Sequence, residues 1–194
     1  MSEIRAFLAI RVPAEVQASL ANLQEKLRSH LPALNWVRPE HIHVTLKFFG
    51  SIPSARVDQI HEVIRDGGIQ IAPFRLNVES IGVFPHLRSP KVLWAGLTGE
   101  VNKLLGLHDQ VLVLLEPLGF PIEEKPFYPH VTLARIKSNW SKVGTALKDT
   151  GFLDAQEIVS DWVVDRVVLY KSELTPSGAH YTSLWSVPLI GSSE

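Results

Sequence analysis

The word HVTL occurs at residues 43–46 and again at 130–133, 87 positions later. Each copy offers an imidazole, which titrates close to neutral pH, and a hydroxyl. If the copies meet at one site, a neutral imidazole could take a proton from a nucleophile and a charged one could protonate a leaving group. The threonines could hydrogen-bond the non-bridging oxygens of a phosphate between them. This pattern favours in-line displacement at phosphorus by His43 and His130, assisted by Thr45 and Thr132, without a metal.

Strands are predicted to position these four side chains, because both copies lie in segments that alternate between apolar and polar residues. Alternate side chains of a strand share a face. His43 and Thr45 are therefore expected on one face, and the same holds for His130 and Thr132. The valine and leucine of each copy would anchor the strand to the core, so that a rigid backbone holds the polar pair.

The order of the predicted elements repeats along the chain, which favours a duplication. The predicted elements are strand 4–12, a helix after Pro13, strand 41–50, a helix from N-cap Ser54 to Gly67, strand 74–84, strand 91–97, helix 100–119, strand 127–137, helix 141–151, strand 163–170 and a last hairpin turning at 176–178. We therefore expect a single bilobal domain over 1–194. Its two β-α-β-α-β lobes would cover approximately 1–86 and 87–194, and the C-terminal hairpin 171–190 would cross between them.

Composition excludes several classes of protein. The formal net charge of -1 argues against a broad basic face that coats nucleic acid, but it allows a grip on a single phosphate. The chain has no cysteine, so neither a disulfide framework nor a thiolate metal site is available. The first apolar stretch is broken by Arg11 and Pro13, which is typical of neither a signal peptide nor a membrane span. A cytoplasmic monomer without a membrane partner is expected.

A metal site is the main chemical alternative. His41 and His43 form a plausible pair of ligands on one strand, and His130 could be a third. The second copy, however, has Tyr128 where the first has His41, and neither copy contains Asp or Glu. The favoured interpretation therefore has no metal ligand and no cofactor.

Both HVTL words and their surroundings resemble the HxTx motifs of the two-histidine (2H) phosphoesterase superfamily. Within it, the chain resembles most the bacterial and archaeal RNA 2',3'-cyclic phosphodiesterases, also known as 2'-5' RNA ligases. The similar stretches span nearly the whole chain in the family's order: RAFLAIRVP, HIHVTLKFFGSI, IGVFPHLRSPKVLWAGL, FYPHVTLARIK and VVLYKSELTPSGAHYTSLW. The resemblance implies an α+β fold in which two antiparallel sheets line a central cleft, with helices on the outside. It implies metal-independent hydrolysis of RNA 2',3'-cyclic phosphate ends to 2'-phosphate, with His43 as acid and His130 as base.

Two further residues are expected to bind substrate. The family often carries an arginine just past the second motif, and Arg135 matches it. Because Arg135 lies five residues after His130, an ideal strand would turn it to the opposite face, so it needs a bulge or a strand end near Ala134. The same parity places Phe49 on the face of His43, where it could stack on a nucleobase, and places Phe48 in the core.

Three other functions stay open on the sequence alone. Reversible 2'-5' ligation would use the same residues, with a 5'-hydroxyl in place of water. A cyclic phosphodiesterase acting on small nucleotides would keep the fold and change the substrate. A non-catalytic nucleotide-binding module would need the phosphate contacts but not two titrating groups. The expected partners are therefore RNA with 2',3'-cyclic phosphate ends or cyclic nucleotides.

Overall fold

The computed structural model describes residues 2–31, 34–123, 125–154, 160–175 and 178–191. Its helices and strands are β1 (Glu3–Arg11), α1 (Ala14–Arg28), β2 (Asn35–Trp36), β3 (His43–Pro53), α2 (Arg56–Asp66), β4 (Phe74–Phe84), β5 (Val92–Gly99), α3 (Val101–Leu115), β6 (His130–Arg135), α4 (Trp140–Asp149), β7 (Ser160–Val164), β8 (Arg166–Thr175) and β9 (Gly178–Pro188). Short 3-10 helices cover Pro39–His41 and Glu116–Leu118. The predicted repeat of β-α-β-α-β order is confirmed in both halves.

Two antiparallel sheets organise the strands, so the α+β fold class is confirmed. The first sheet has the order β3-β1-β8-β9, and the second has the order β2-β6-β5-β4-β7. The first HVTL word lies on β3 of the first sheet, and the second lies on β6 of the second sheet. Each sheet therefore presents one histidine and one threonine from its own motif.

Sheet membership does not follow position in the chain. Strand β4 comes from the first half, yet it pairs with β5 and β7 in the second sheet. Strands β8 and β9 come from the second half, yet β8 pairs with β1 in the first sheet and β9 pairs with β8. Both sheets are thus built from both halves. The lobe boundaries near residue 86 stay a prediction about the duplication and do not separate the sheets.

The apolar residues of each motif anchor its strand as expected. Val44 and Leu46 are 0% and 3% exposed, and Val131 and Leu133 are both 0% exposed. Each helix also buries one apolar stripe against the sheets, as the spacing near 3.6 residues predicts. In α1 this stripe also contains a polar residue, Gln24, which is 2% exposed.

Two local predictions are wrong. The second helix begins at Arg56 with Ala55 as its N-cap, and the hydroxyl of the expected cap, Ser54, instead lies 3.0 Å from that of Ser2. The expected strand 163–170 is two strands separated at Asp165, because β7 pairs with β4 in one sheet and β8 pairs with β1 in the other.

The C-terminal hairpin is confirmed by the pairing of Thr175 with Gly178. The expected turn residues 176 and 177 lie outside the described residues. Within the described ranges, no helix is both long and apolar enough to cross a membrane. The cytoplasmic location and the monomeric state stay predictions.

Candidate active site

The two motif histidines begin the two motif strands and lie within electrostatic reach of each other. His43 pairs with Arg11 across β3 and β1, and His130 pairs with Gly96 across β6 and β5. Strands β3 and β6 contact each other although they belong to different sheets. Besides burial, the charges of His41, Arg135 and His130 contribute to the lowered pKa of His43. The fold thus brings the two imidazoles close enough for their charges to interact, where β3 contacts β6.

Both imidazoles are held by the same backbone contact. The Nδ1 atom of His43 lies 2.7 Å from the carbonyl oxygen of His41, and the Nδ1 atom of His130 lies 2.6 Å from that of Tyr128. A carbonyl oxygen only accepts hydrogen bonds, so each Nδ1 carries a proton and donates it. The atom left to take up or release a proton is therefore Nε2 in both rings.

Aromatic rings fix the orientation of each histidine. The ring of His43 stacks on Phe7 with centroids 4.6 Å apart, and the edge of Tyr181 lies 5.5 Å away. The ring of His130 meets Phe84 edge-on at 5.1 Å. Phe7 is itself only 3% exposed, so the support under His43 is rigid.

Burial makes both histidines weak bases in the free protein. Burial lowers the pKa of His43 to about 4, and the charges of His41, Arg135 and His130 add to this effect. The hydrogen bond from Nδ1 to the His41 carbonyl acts in the opposite direction. Burial also lowers the pKa of His130, against the hydrogen bond to Tyr128. Near pH 7 both rings are neutral in the absence of an anion.

The two threonines share the histidine faces, as the strand parity predicts. Thr45 lies opposite Ala9, and Thr132 lies opposite Trp94. Both are half-buried, whereas the residues on either side of them are buried. The register between each histidine and its threonine is regular, so their side chains lie on one side of the strand.

A β-bulge at Leu133 turns Arg135 to the same face as His130. Trp94 pairs with Thr132, but the preceding residue Leu93 pairs with Ala134, so Leu133 is the extra residue. Leu133 and Ala134 are consequently both buried, and Arg135 is exposed. The sequence required a bulge or a strand end near Ala134 for Arg135 to reach this face, and the bulge is present.

A matching bulge at Leu46 reverses the prediction for the two phenylalanines. Ala9 pairs with Thr45 while Leu8 pairs with Lys47, so Leu46 is the extra residue in β3. Phe48 is therefore 61% exposed, with its ring 5.8 Å from that of Phe7.

The expectation that Phe49 shares the face of His43 is wrong. Because of the bulge, the Phe49 ring packs edge-on against Phe120 at 4.8 Å, next to the buried core. A signal for this was present in the sequence. The offset of 87 aligns Phe48 with Arg135, so the bulge that Arg135 requires would place Phe48 equivalently in the first copy.

Several rings of the site come from strands that the motifs do not reveal. Tyr181 lies on β9, and its ring is 4.9 Å from Phe7 and 4.8 Å from His41. Tyr170 lies on β8, and its ring is 5.3 Å from Phe7. Alternation predicts which side chains of a hairpin share a face, but it does not predict against which sheet the hairpin packs.

The metal interpretation requires several ligand side chains close together. Among the residues that the structure describes, no group of three or more His, Asp or Glu side chains could hold a metal ion. His41 contributes its carbonyl oxygen to His43 and its ring to Tyr181.

Similarity to known proteins extends over most of the chain. The family described as LigT-like phosphoesterase matches it twice, over residues 10–94 and 97–181. The RNA 2',3'-cyclic phosphodiesterase of Thermus thermophilus is 33% identical, covering 97% of this chain and 91% of the relative. The enzyme of that name from Methanothermobacter thermautotrophicus is 32% identical, covering 94% and 97%. The double match agrees with a duplication.

Solved structures are similar over nearly the full length. A crystal structure of a Thermus thermophilus protein has a TM-score of 0.78 and 29% identity, covering 98% of this chain and 100% of that one. The structure of E. coli LigT complexed with 3'-AMP has a TM-score of 0.73 and 25% identity, covering 97% and 99%. The arrangement of two sheets is therefore shared with experimentally determined proteins.

Proposed function

The chain belongs to the LigT-like phosphoesterase family, and we propose that it hydrolyses the 2',3'-cyclic phosphate at RNA ends to a 2'-phosphate. One observation supports the proposal most: two imidazoles from two different sheets, each with Nδ1 bound to a backbone carbonyl and Nε2 left to exchange a proton, lie close enough to interact electrostatically. The names of the relatives supply the class of substrate.

In the proposed reaction, the neutral His130 takes a proton from water through Nε2 as the water oxygen attacks phosphorus. The bond between phosphorus and the 3'-oxygen breaks, and protonated His43 gives its Nε2 proton to that oxygen. The products are a 2'-phosphate monoester and a free 3'-hydroxyl. Each proton transfer contributes roughly 10²- to 10⁴-fold to the rate.

The low pKa of His43 makes its acid role dependent on substrate. Burial holds this ring neutral in the free protein, and the positive charge of Arg135 adds to the effect. A bound phosphodiester carries a negative charge, which favours the protonated ring and raises its pKa toward the working pH. His43 thus becomes an acid in the complex, where the leaving oxygen is present.

The neighbouring side chains complete the proposed site. Thr45 and Thr132 donate hydrogen bonds to the non-bridging oxygens, and Arg135 neutralises charge that develops on them. Phe48, which replaces the expected Phe49, offers an exposed ring for stacking on a nucleobase. Because these steps use only protein groups, activity is expected to persist in excess EDTA.

The test is incubation of a short RNA ending in 2',3'-cyclic phosphate with wild type, His43→Ala and His130→Ala. We expect a 2'-phosphate end from wild type and a loss of several orders of magnitude in kcat/KM for each variant, with unchanged circular dichroism. Hydrolysis by His130→Ala at the wild-type rate would refute the mechanism. If a 5'-hydroxyl RNA is added and the joined product outweighs the 2'-phosphate end, ligation is the main reaction instead.

A further inference from the structure

A pocket of about 440 Å³ opens beside the proposed active site, on the cleft face of the first sheet. We call it the Arg5 pocket, since it is lined by Arg5, Phe7, Phe48, Arg135 and Tyr181, together with smaller residues. The rings of Phe7 and Tyr181 also contact His43, so this pocket is continuous with the reaction site. A molecule bound at His43 can therefore extend into it.

The charges of the Arg5 pocket favour a polyanion. Two guanidinium groups, of Arg5 and Arg135, face it, and none of the described residues that line it is Asp or Glu. Arg5 is exposed, and no described carboxylate forms an ion pair with it. Ser172 and Tyr181 add hydroxyl groups. Arginine binds phosphate with two parallel hydrogen bonds, which suits this setting.

Arg5 lies on the same strand as Phe7, the residue whose ring stacks on His43. It precedes Phe7 by two residues on β1, so both side chains share the cleft face and their Cα atoms are roughly 6–7 Å apart. Phe7 stacks on His43. Arg5 is thus one pair of residues along β1 from the ring that stacks on His43, on the side of Phe7 away from Arg11, the residue that pairs with His43.

Other basic residues near the site already contact another side chain or share a pocket with a carboxylate. Lys91, the counterpart of Arg5 at an offset of 86, has its ammonium group 5.8 Å from the centre of the Trp140 ring. Arg11, at the other end of β1, pairs with His43 and lines a pocket that contains both His43 and Glu40. Arg166 lines that pocket too, but its guanidinium donates two hydrogen bonds to Asp165. Of these two pockets, the Arg5 pocket is the one whose described lining residues include no carboxylate.

We propose that Arg5 binds the phosphodiester that joins the terminal nucleoside to the rest of the RNA, while the base of that nucleoside lies against Phe48. The preferred substrate is then an oligonucleotide with a cyclic phosphate end, rather than a cyclic mononucleotide. This inference rests on the proposed function, since it places the strand relative to His43 and His130.

The test compares two substrates, adenosine 2',3'-cyclic phosphate and the dinucleotide ApA with a 2',3'-cyclic end. Only the dinucleotide has the additional phosphodiester. In Arg5→Ala, we expect the ratio of kcat/KM for dinucleotide over mononucleotide to fall about ten- to a hundredfold, the effect of losing one charge-assisted contact. Arg5→Lys, which keeps the charge, should retain part of the preference. The matched control is Arg11→Ala on the same strand, which should keep the wild-type ratio.

Salt dependence and product binding give independent readouts. The slope of log Kd against log salt for the dinucleotide product should decrease by about 0.7 in Arg5→Ala, as expected for one phosphate of a single strand. Binding of the 2'-phosphate products ApAp and adenosine 2'-phosphate needs no turnover, so it tests the pocket even if hydrolysis fails. An unchanged ratio in Arg5→Ala, equal losses on both substrates, or a selective loss in Arg11→Ala would overturn the inference. Absence of hydrolysis of both substrates by wild type would instead overturn the proposed function.

Discussion

His43 differs from an ordinary histidine in how difficult it is to protonate. Burial lowers its pKa to about 4, and the charges of His41, Arg135 and His130 act in the same direction. An unperturbed histidine has a pKa near 6.5. The folded protein therefore resists a proton that the unfolded chain accepts between these two values. This difference links the proposed acid to the stability of the fold.

Removing His43 is expected to flatten the pH dependence of stability. Above pH 6.5 the ring is neutral in both states, and its contribution is complete. As pH falls from 6.5 to about 4, the unfolded chain binds a proton that the folded chain does not, so the free energy of unfolding decreases. Between pH 7 and 4, His43→Gln should lose about 2–3 kcal/mol less than wild type, measured by urea unfolding at each pH. Equal losses in the two proteins would contradict the low pKa.

Alanine substitutions of Phe48 and Phe49 are expected to affect different properties, namely substrate binding for Phe48 and stability for Phe49. Phe48→Ala removes an exposed ring beside Phe7 and should raise KM for cyclic-ended RNA by roughly 5- to 100-fold, because a stacked base contributes about 1–3 kcal/mol. Phe49→Ala removes a ring packed on Phe120 and should lower the free energy of unfolding by about 2–3 kcal/mol. The paired measurements are steady-state kinetics and urea unfolding. The reverse pattern would contradict the bulge at Leu46.

Among the secondary-structure elements, the strand bulges decide which side chains reach the cleft. The bulge at Leu133 is supported from α1 by Gln24, whose Nε2 donates to the carbonyl oxygen of Leu133 at 2.9 Å and to that of Val37 at 2.8 Å. The backbone N–H of Val37 also donates to Leu133, at 2.9 Å. A buried helix side chain thus supports the irregularity that turns Arg135 toward the face of His130.

Gln24→Leu is expected to impair both stability and activity. It leaves the carbonyl of Val37 without this donor and removes one of two donors from Leu133, which should cost about 2–4 kcal/mol. The bulge should then relax, displace Arg135 and reduce kcat/KM. Gln17→Leu is the matched control, since Gln17 lies on the same helix and donates to Val12, away from the bulge.

A double-mutant cycle separates these two effects. If Gln24 acts on catalysis through Arg135, then Gln24→Leu should reduce kcat/KM much less when Arg135 is already alanine. Losses that multiply in the double variant would show that Gln24 affects only the general stability of the fold. Urea unfolding of all four proteins controls for the fraction folded.

Across the whole molecule, exchange of strands ties the two halves together. The first sheet depends on β8 and β9 from the second half, and the second sheet depends on β4 from the first half. Neither half contains a complete sheet of its own. The two histidines are therefore held in register by a fold that neither copy of the repeat forms alone.

Fragments that divide the chain near residue 86 are accordingly expected not to fold in isolation. Fragment 1–86 would leave β1 without β8 and β4 without β5 and β7, so its strand edges and apolar faces would be open to water. Circular dichroism and urea titration should show no cooperative transition for either fragment alone. An equimolar mixture should recover one. A cooperative transition in isolated 1–86 would mean that the exchanged strands are dispensable.

Short-range patterns in the sequence were enough to predict the histidine–threonine pairs of the proposed site. The alternation around residues 43–46 and 130–133 places each histidine with its threonine and each valine with its leucine, because these are relations between residues two apart on one strand. The order of helices and strands, and the duplication, follow from patterns of the same short range. For this reason His43, Thr45, His130 and Thr132 can be proposed as site residues without coordinates.

Contacts between segments far apart in the sequence could be seen only in the folded molecule. The exchange of β4 with β8 and β9, the rings of Phe7 and Tyr181 against His43, and the choice of Phe48 over Phe49 all depend on which strand lies beside which. A bulge inserts one residue relative to the neighbouring strand, so it is a property of a pair of strands and leaves no period in either one. Alternation along a single strand records the side to which a residue points only as long as the pairing stays regular. Where the pairing slips by one residue, packing against the rest of the protein sets the direction of the side chain.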